Sequence, residues 1–393
     1  MSQKVIVAGV GMIPFVKPSA AEPYTVMGPR AIRIALEDAG VSYPQIQQVY
    51  AGYVYGDSTC GQRVAYEVGM SGVPVINVNN NCSTGSTALF LARQAIASGA
   101  IDCALAFGFE QMLPGALGSM YKDRPDPLDK WNEQSQRLQP APQMPPAPHM
   151  FGGAGVEYQQ KYGIRSETFA KISEKARKHA QHNDKAIFRE LLTVEQIMAT
   201  PTIYGVLTRV QCCPPTCGAA AAVLVSERYA KQHGLRSDIA ILGQAMTTDT
   251  ASTFEAGSMI KAVGYDMSRA AAQQVYAQAG IGADDIDVCE LHDCFTANEL
   301  VTYEALGFTP EGTAEKFIWD GDNTYGGKVV TNPSGGLLSK GHPLGATGLA
   351  QCTELVEQLR GRSGVRQVEG ARLALQHNIG IGGACVVTLY GKA

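Results

Sequence analysis

Two stretches decide how this chain folds: Cys82-Ser83-Thr84-Gly85-Ser86-Thr87-Ala88-Leu89 and, 260 residues further on, His342-Pro343-Leu344-Gly345-Ala346-Thr347-Gly348-Leu349. Each sets a chemically reactive residue first, then repeats glycine, threonine and leucine at the same places. An apolar helical pattern follows in both, and then a β-type run: Cys103–Phe109 in the first case, Ala371–Gln376 in the second, the latter leading to a last strand at Ala384–Tyr390. A second match lies upstream, offset by 240. There a helix Val26–Ala39 closed by Gly40 and a strand Val49–Tyr55 correspond to a helix Met267–Ala279 closed by Gly280 and a strand Ile286–Leu291. Matches in the same order at nearly equal offsets are what duplication of an α/β unit leaves behind.

The strands are apolar along their whole length and alternate with helical patterns, which predicts sheets covered on both faces. The expected fold is therefore α/β, two duplicated α/β domains in five layers, α-β-α-β-α. The first domain spans residues 1–265 and the second 266–393, with an inserted loop domain at about 113–205. That insertion opens with a proline-rich excursion: Leu113–His149 holds eight of the 20 prolines. Helices are expected at Gly155–Tyr162 and, capped by Ser166, at Glu167–Asn183. The basic residues Lys161, Arg165, Lys171, Lys175, Arg177, Lys178, Lys185 and Arg189 follow one another there. They read either as a solvated helix face or as a landing surface for a phosphorylated tail.

Composition narrows the function. With 393 residues, 45% hydrophobic and 17% charged, the chain can build a large core, and a net charge of −4 argues against nucleic acid as a partner. Ten cysteines without a CxxC pair favour free thiols and no structural metal. The apolar runs Val5–Val16 and Ala219–Val225 fall short of the ~20 residues a membrane helix needs, so no membrane insertion is expected. There is no GxGxxG after the first strand, no GxxxxGK[ST], no HExxH and no GxSxG.

The candidate chemistry sits in four turns. Cys82 follows Asn79-Asn80-Asn81 at the start of a helix, where the dipole and free amides favour thiolate, though a cysteine is as readily a small buried hydrophobe. His342 occupies the equivalent turn and would act as its base, or else be a histidine satisfied within the fold. His292-Asp293-Cys294-Phe295 ends a strand and offers a second imidazole and a second thiol as proton and hydrogen-bond donors. The run Gln376–Gly383 exposes glycine amides that could hold an anion or simply make a tight connection.

The strings NNNCSTGS, HDCF, NPSGGLLSKGHPLGATG and HNIGIGGA, with GYVYGDSTCGQR and GDNTYGGK, resemble those of the thiolases, in particular the branch similar to the thiolase part of sterol carrier protein X, the SCP2-thiolases. The resemblance covers essentially the whole chain. It implies the thiolase fold, a homodimer or homotetramer, and 3-ketoacyl-CoA thiolase activity, with CoA and acyl-CoA as substrates and no tightly bound cofactor. Cys82 would be the nucleophile, His342 its base and Cys294 the acid. His292 and His342 would hold the enolate oxygen, while the amides of Cys82 and Gly380, with Asn378 in the same loop, would form the other oxyanion hole.

The chain departs from the common thiolase pattern in two places: Asn378-Ile379-Gly380 lacks the usual cysteine, and His292 replaces an asparagine. Cys294 supplies the missing thiol, Cys385 lies too far along the last strand, and Cys217 reads as a packing variation. The chain is expected to lack the lipid-carrier module of some relatives, and Gly391-Lys392-Ala393 does not match an SKL-type address. The expected compartment is a bacterial cytosol, with a peroxisomal or mitochondrial matrix as the alternative. Two other functions fit the same residues: a condensing thiolase forming acetoacetyl-CoA, and a non-catalytic acyl-CoA or lipid-binding relative.

Overall fold

The apolar runs become two copies of a five-stranded unit in the computed structural model, which describes residues 3–113 and 121–393. The first copy contains β1 (Val5–Met12), β2 (Gln48–Gly52), β3 (Val75–Val78), β4 (Cys103–Glu110) and β5 (Gly218–Ser226). The second contains β6 (Ile239–Thr247), β7 (Val288–Glu290), β8 (Val330–Thr331), β9 (Leu373–Gly380) and β10 (Ala384–Lys392). Their spatial orders are β3-β2-β4-β5-β1 and β8-β7-β9-β10-β6, so each strand of one copy has its counterpart in the other. Strand directions agree as well. The pairs β3–β2 and β2–β4 are parallel, and β4–β5 and β5–β1 antiparallel; so it is with β8–β7, β7–β9, β9–β10 and β10–β6. Pairing of Ile6 with Ala240 joins the two copies.

The helices that position the site are α1 (Tyr24–Ala39), α2 (Thr84–Ala97), α3 (Pro146–Tyr162), α4 (Ser166–Ala180), α5 (Tyr265–Ala279), α6 (Thr296–Ala305) and α7 (Leu344–Arg360). Helices α2 and α7 pack on each other between the two sheet halves, α1 covers the outer face of the first half, and α5 that of the second. Three apolar cores result. One surrounds α2 and α7, with Leu89, Ala92, Leu349 and Leu355; one lies under α1; the largest lies under α5 and α6 and extends into α3 and α4. The expected α-β-α-β-α layering is the one observed.

Backbone contact decides how close the central helices come. A Cβ on Gly85 would stand 2.7 Å from the carbonyl oxygen of its counterpart Gly345, and one on Gly345 would stand 2.6 Å from Gly52 O. A Cβ on Gly348 would run into Ser86. The residues before the reactive ones are also matched: Asn81 has φ 51° and Gly341 φ 118°, the left-handed region that Asn and Gly tolerate best.

The structure departs from the sequence reading mainly at element ends. Strand β2 stops at Gly52 because the amides of Val54 and Tyr55 turn to the carboxylate of Glu110. Strand β7 stops at Glu290, with Leu291 N donating to Asn332 Oδ1 at 2.8 Å. Helix α4 begins at Ser166 itself, with Arg165 in the cap position and no side-chain cap, so Ser166 does not cap it. Helix α3 starts nine residues before the expected Gly155, at Pro146, a residue suited to a first helical turn. Within the proline-rich excursion, Pro114 lies outside the described residues, while Asp129–Leu138 is helical.

The tight glycine contact gives a stability prediction. Gly345→Ala puts a methyl against backbone carbonyls that cannot rotate away, and should lower unfolding free energy by roughly 1–3 kcal/mol. Gly163→Ala, at a helix end with open space around it, tests the cost of positive φ alone and should lose less. Urea titrations of both variants measure the difference.

Candidate active site

The two matched turns bring Cys82 and His342 to one place. Each residue lies just before the cap of a central helix, Ser83 for α2 and Pro343 for α7. Even the threonines correspond. Thr87 Oγ1 donates to Ser83 O and Thr347 Oγ1 to Pro343 O, leaving both hydroxyl oxygens to accept from the turn above. Thr87 accepts from Asn80 Nδ2 at 3.1 Å, and Thr347 meets His342 Nδ1 at 2.7 Å.

Those partners fix where protons lie. Thr347 has one hydroxyl proton and gives it to Pro343 O, so His342 Nδ1 is the donor in their contact. The proton of a neutral His342 is thereby on Nδ1. Its Nε2 is left bare, fully buried and without a hydrogen-bond partner. For His292 the chain of donors runs the other way. Gln376 Nε2 donates to Ser86 Oγ, Ser86 Oγ donates to Asn378 Oδ1, and Asn378 Nδ2 faces His292 Nδ1 at 2.8 Å. His292 Nδ1 therefore accepts, and its proton is on Nε2. One imidazole offers a lone pair and the other an N–H.

The two rings stand edge to face with centroids 5.1 Å apart, and one ring nitrogen from each lies with Cys82 Sγ inside a 4.8 Å cluster. Burial keeps both rings neutral: it pulls His342 down to about 3 and His292 well below the usual imidazole range, the latter helped by His342 and His377. A metal would need a bare Nε2 on His292 with Nδ1–H given to an acceptor. Asn378 imposes the opposite tautomer, so this trio suits an oxyanion better than a metal ion.

Cys82 differs from its expected state. Burial pushes its thiol up to about 12, with the Glu110 carboxylate adding to the effect, while the amides of Cys82 and Ile381 oppose it. The helix terminus expected to favour thiolate is thus outweighed by desolvation, and the resting group is a thiol that needs a base. Glu110 was not singled out from sequence. It is fully buried and accepts from Val54 N, Tyr55 N and Gly345 N at 3.2, 2.9 and 3.0 Å, tying both halves together beneath the sulfur.

A cavity of about 720 Å³ opens onto Cys82, His292, Cys294 and His342, with walls that include Phe151, Phe188, Val210 and Leu344. Cys294 is a buried thiol held well above the ordinary cysteine range by burial and then by Cys213 and Cys82. Cys213, also missed from sequence, lines the same cavity and donates its amide to Cys294 O at 2.8 Å.

The remaining candidates lie outside that cavity. Asn378 is buried behind His292 and orients it, so its side chain positions that ring and does not meet an oxyanion. Gly380 packs against the backbone of Asn80, and the following residue, Ile381, supplies the amide beside the sulfur. His377 is a support: its Nδ1 accepts from His292 N at 3.4 Å and its Nε2 meets Ser268 Oγ at 2.9 Å. Cys385 Sγ lies 3.8 Å from Ser268 Oγ, away from the cavity, and Cys217 is buried against Met112.

The basic run divides. Lys161 pairs with Glu311, Arg165 with Glu315, Lys171 with Glu174 and buried Lys175 with Glu299. Arg177 pairs with the exposed Glu190 at 3.6 Å and also borders the cavity. Neither a uniform solvated face nor a continuous landing surface describes the set.

Comparison with known proteins identifies the family. The family model for the thiolase N-terminal domain matches residues 5–192, and that for a thiolase C-terminal domain-like unit matches 249–390. Sterol carrier protein 2 of Oryctolagus cuniculus is 54% identical over 98% of this chain and 72% of its own. Non-specific lipid-transfer protein-like 2 of Caenorhabditis elegans is 45% identical over 98% of this chain and 96% of its own. In structure, human mitochondrial 3-ketoacyl-CoA thiolase in complex with CoA superposes with a TM-score of 0.75 at 20% identity, covering 100% of this chain and 98% of that one; this likeness is one of fold. Both sequence relatives are animal proteins, so they lend no support to a bacterial cytosol. Among the described residues no helix is long and apolar enough to cross a membrane.

Two outcomes follow from the buried charges. Glu110→Gln removes the negative charge that raises the Cys82 thiol, so iodoacetamide should alkylate Cys82 faster in the variant at any pH between 7 and 9; an unchanged rate would remove Glu110 from this account. The neutral histidines act on stability in a defined window. His342, His377 and His179 are held at about 3 when folded, against 6.5 for a free imidazole. Because the unfolded chain binds their protons first, stability should be complete above about pH 6.5 and fall steadily from there toward pH 3, as thermal unfolding across that range will register.

Proposed function

The chain belongs to the thiolase family, and on that premise we propose that it is a 3-ketoacyl-CoA thiolase, splitting a 3-ketoacyl-CoA with CoA into a shortened acyl-CoA and acetyl-CoA, or propionyl-CoA from a 2-methyl substrate. The observation that carries this reading is the convergence of His342, backed by Thr347, and His292, backed by Asn378, at one sulfur in an apolar cavity.

In that reaction the bare Nε2 of His342 takes the Cys82 proton, and the sulfur adds to the C3 carbonyl. The first oxyanion forms against the amides of Cys82 and the Gly380–Ile381 loop. The C2–C3 bond then breaks, leaving an acyl group on Cys82 and an enolate whose oxygen accepts from His342, now protonated, and from His292 Nε2–H. Cys294 holds its proton tightly at rest, which suits a donor that must wait for a carbanion; it protonates C2 and becomes a thiolate. CoA gives its thiol proton to Cys294 and attacks the acyl carbon. Cys82 leaves as thiolate and recovers its proton from His342, and every group returns to its starting state. Both oxyanions meet donors already in place, the arrangement by which electrostatic preorganisation lowers a barrier.

We assign the same molecule no tightly bound cofactor, a homodimeric or homotetrameric state, and a peroxisomal or mitochondrial matrix.

Activity is measured with acetoacetyl-CoA, a longer 3-ketoacyl-CoA and a 2-methyl 3-ketoacyl-CoA, each with CoA, following loss of the ketoester. Cys82→Ala should abolish turnover. Cys294→Ala should slow it by about 10²–10⁴, the usual weight of one acid–base group. Absence of turnover with all three substrates would leave a non-catalytic acyl-CoA or lipid-binding protein as the better reading.

A further inference from the structure

Ahead of β5, the segment Cys212-Cys213-Pro214-Pro215-Thr216-Cys217 borders the cavity with its first four residues and touches both halves of the site. Cys212 pairs antiparallel with Phe295, and Cys213 N donates to Cys294 O at 2.8 Å. That register sets Cys213 directly opposite Cys294, and cross-strand neighbours of this kind hold their Cβ atoms about 4.5–5.5 Å apart on one face. Here the face is the cavity wall, which both thiols line. Pro214 biases Cys213 towards extended backbone, and the two prolines, having no N–H, end the pairing there. Further along, Thr216 Oγ1 accepts from His342 N at 3.1 Å and Cys217 pairs with Val16, so the segment is held on either side of Cys213. Cys212 gives its S–H to Thr208 O at 3.4 Å. Among the described residues no acceptor takes the S–H of Cys213.

When Cys294 gives its proton to C2 it is left as a buried thiolate, a charge that is costly without donors. The Phe295 amide is one such donor. The ionisable groups that face Cys294 are Cys213, Cys82 and Asp293, with His292 and His342 on the same cavity. None of them is a cation at rest, and the proton that His342 takes up returns to Cys82. We propose that Cys213 turns its S–H to Cys294 and donates to that sulfur once its proton has gone, which makes Cys213 a positioning residue that works through Cys294. The proposal rests on the thiolase reading and adds a residue to it. A thiol is a weak donor to a neutral acceptor, and a charged acceptor strengthens the bond. Burial first, and then Cys82, hold Cys213 well above the ordinary cysteine range, so it stays an S–H throughout. No proton leaves it: Cys294 gives one to C2 and later recovers one from CoA.

Alkylation of Cys294 by iodoacetamide, followed peptide by peptide at a fixed alkaline pH in a Cys82→Ala background, reports the thiolate without needing turnover. Adding Cys213→Ala should slow it roughly 10-fold, the lower end of what a hydrogen bond to a charged group is worth, although the wall becomes more open. Cys213→Ser, whose hydroxyl can donate from the same place, should restore the rate. With Cys82 intact, kcat for thiolysis should fall by a similar factor in Cys213→Ala while KM for the ketoester stays within about twofold, the mark of an interaction made only as charge develops, and Cys213→Ser should recover most of the loss. Alkylation that is equal or faster in Cys213→Ala, or a loss that serine does not restore, overturns the proposal. Should the alanine variant fail to fold, Cys213→Val keeps the wall filled without a donor and takes its place. If none of the three substrates turns over, the thiolase reading fails, while the alkylation comparison still decides what Cys213 does for Cys294.

Discussion

Where two helix N-termini can touch backbone to backbone, the groups just ahead of them must meet. Gly85, Gly345 and Gly348 allow this for α2 and α7, since any side chain there would run into a carbonyl or into Ser86. The positive φ values of Asn81 and Gly341 then turn the preceding chain so that residues 82 and 342 face one hollow. Glu110 joins the arrangement from below by accepting from Gly345 N in one half and from Val54 N and Tyr55 N in the other. The site is therefore a property of the duplication axis and not of either half alone.

Convergence alone would give four inert groups, because burial opposes charge on every one of them. Cys82 and Cys294 are held as thiols, and His292 and His342 as neutral imidazoles. What distinguishes the imidazoles is the network behind each. Thr347 forces the His342 proton to the far nitrogen, while the Gln376–Ser86–Asn378 chain forces the His292 proton to the near one. A base and a donor made from the same residue type differ only in what lies on the other side of the ring. Proton transfer from Cys82 to His342 creates a charge pair inside low-dielectric surroundings, where the fixed N–H groups count for more than they would in water.

Much of this was legible in the sequence, because duplication repeats local signals. The shared spacing of Gly85, Thr87 and Leu89 with Gly345, Thr347 and Leu349 located both turns, and the strand-end positions of His292 and Cys294 put them beside the same layer boundary. What stayed hidden was whatever depends on a partner distant in the chain. Glu110 ends an ordinary apolar strand, and nothing near it in sequence says that three amides will converge on its carboxylate. Asn378 enters the oxyanion loop only through the family resemblance; the position of His292, 86 residues away, turns it into a support. Helix-terminus logic likewise predicted a thiolate at Cys82, since a sequence displays the dipole but not the desolvation.

The same reasoning explains two buried ion pairs that would otherwise look wasteful. Lys340 and Glu290, 1% and 0% exposed at the side chain, meet at 3.0 Å, two residues before His342 and two before His292 respectively. Glu290 also accepts from Ser334 N and Oγ, and the carbonyls of Ser339 and Lys340 accept from Phe188 N and Ile187 N, which form part of the cavity wall. Lys175 similarly joins α4 to Glu299 on α6. Apolar side chains of equal volume could fill these places at little cost in stability, so net stability is not what these pairs supply. What the contacts do is link elements distant in the chain: the strand that carries His292 to the turn that carries His342, that turn to the inserted segment through Ile187 N and Phe188 N, and α4 to α6.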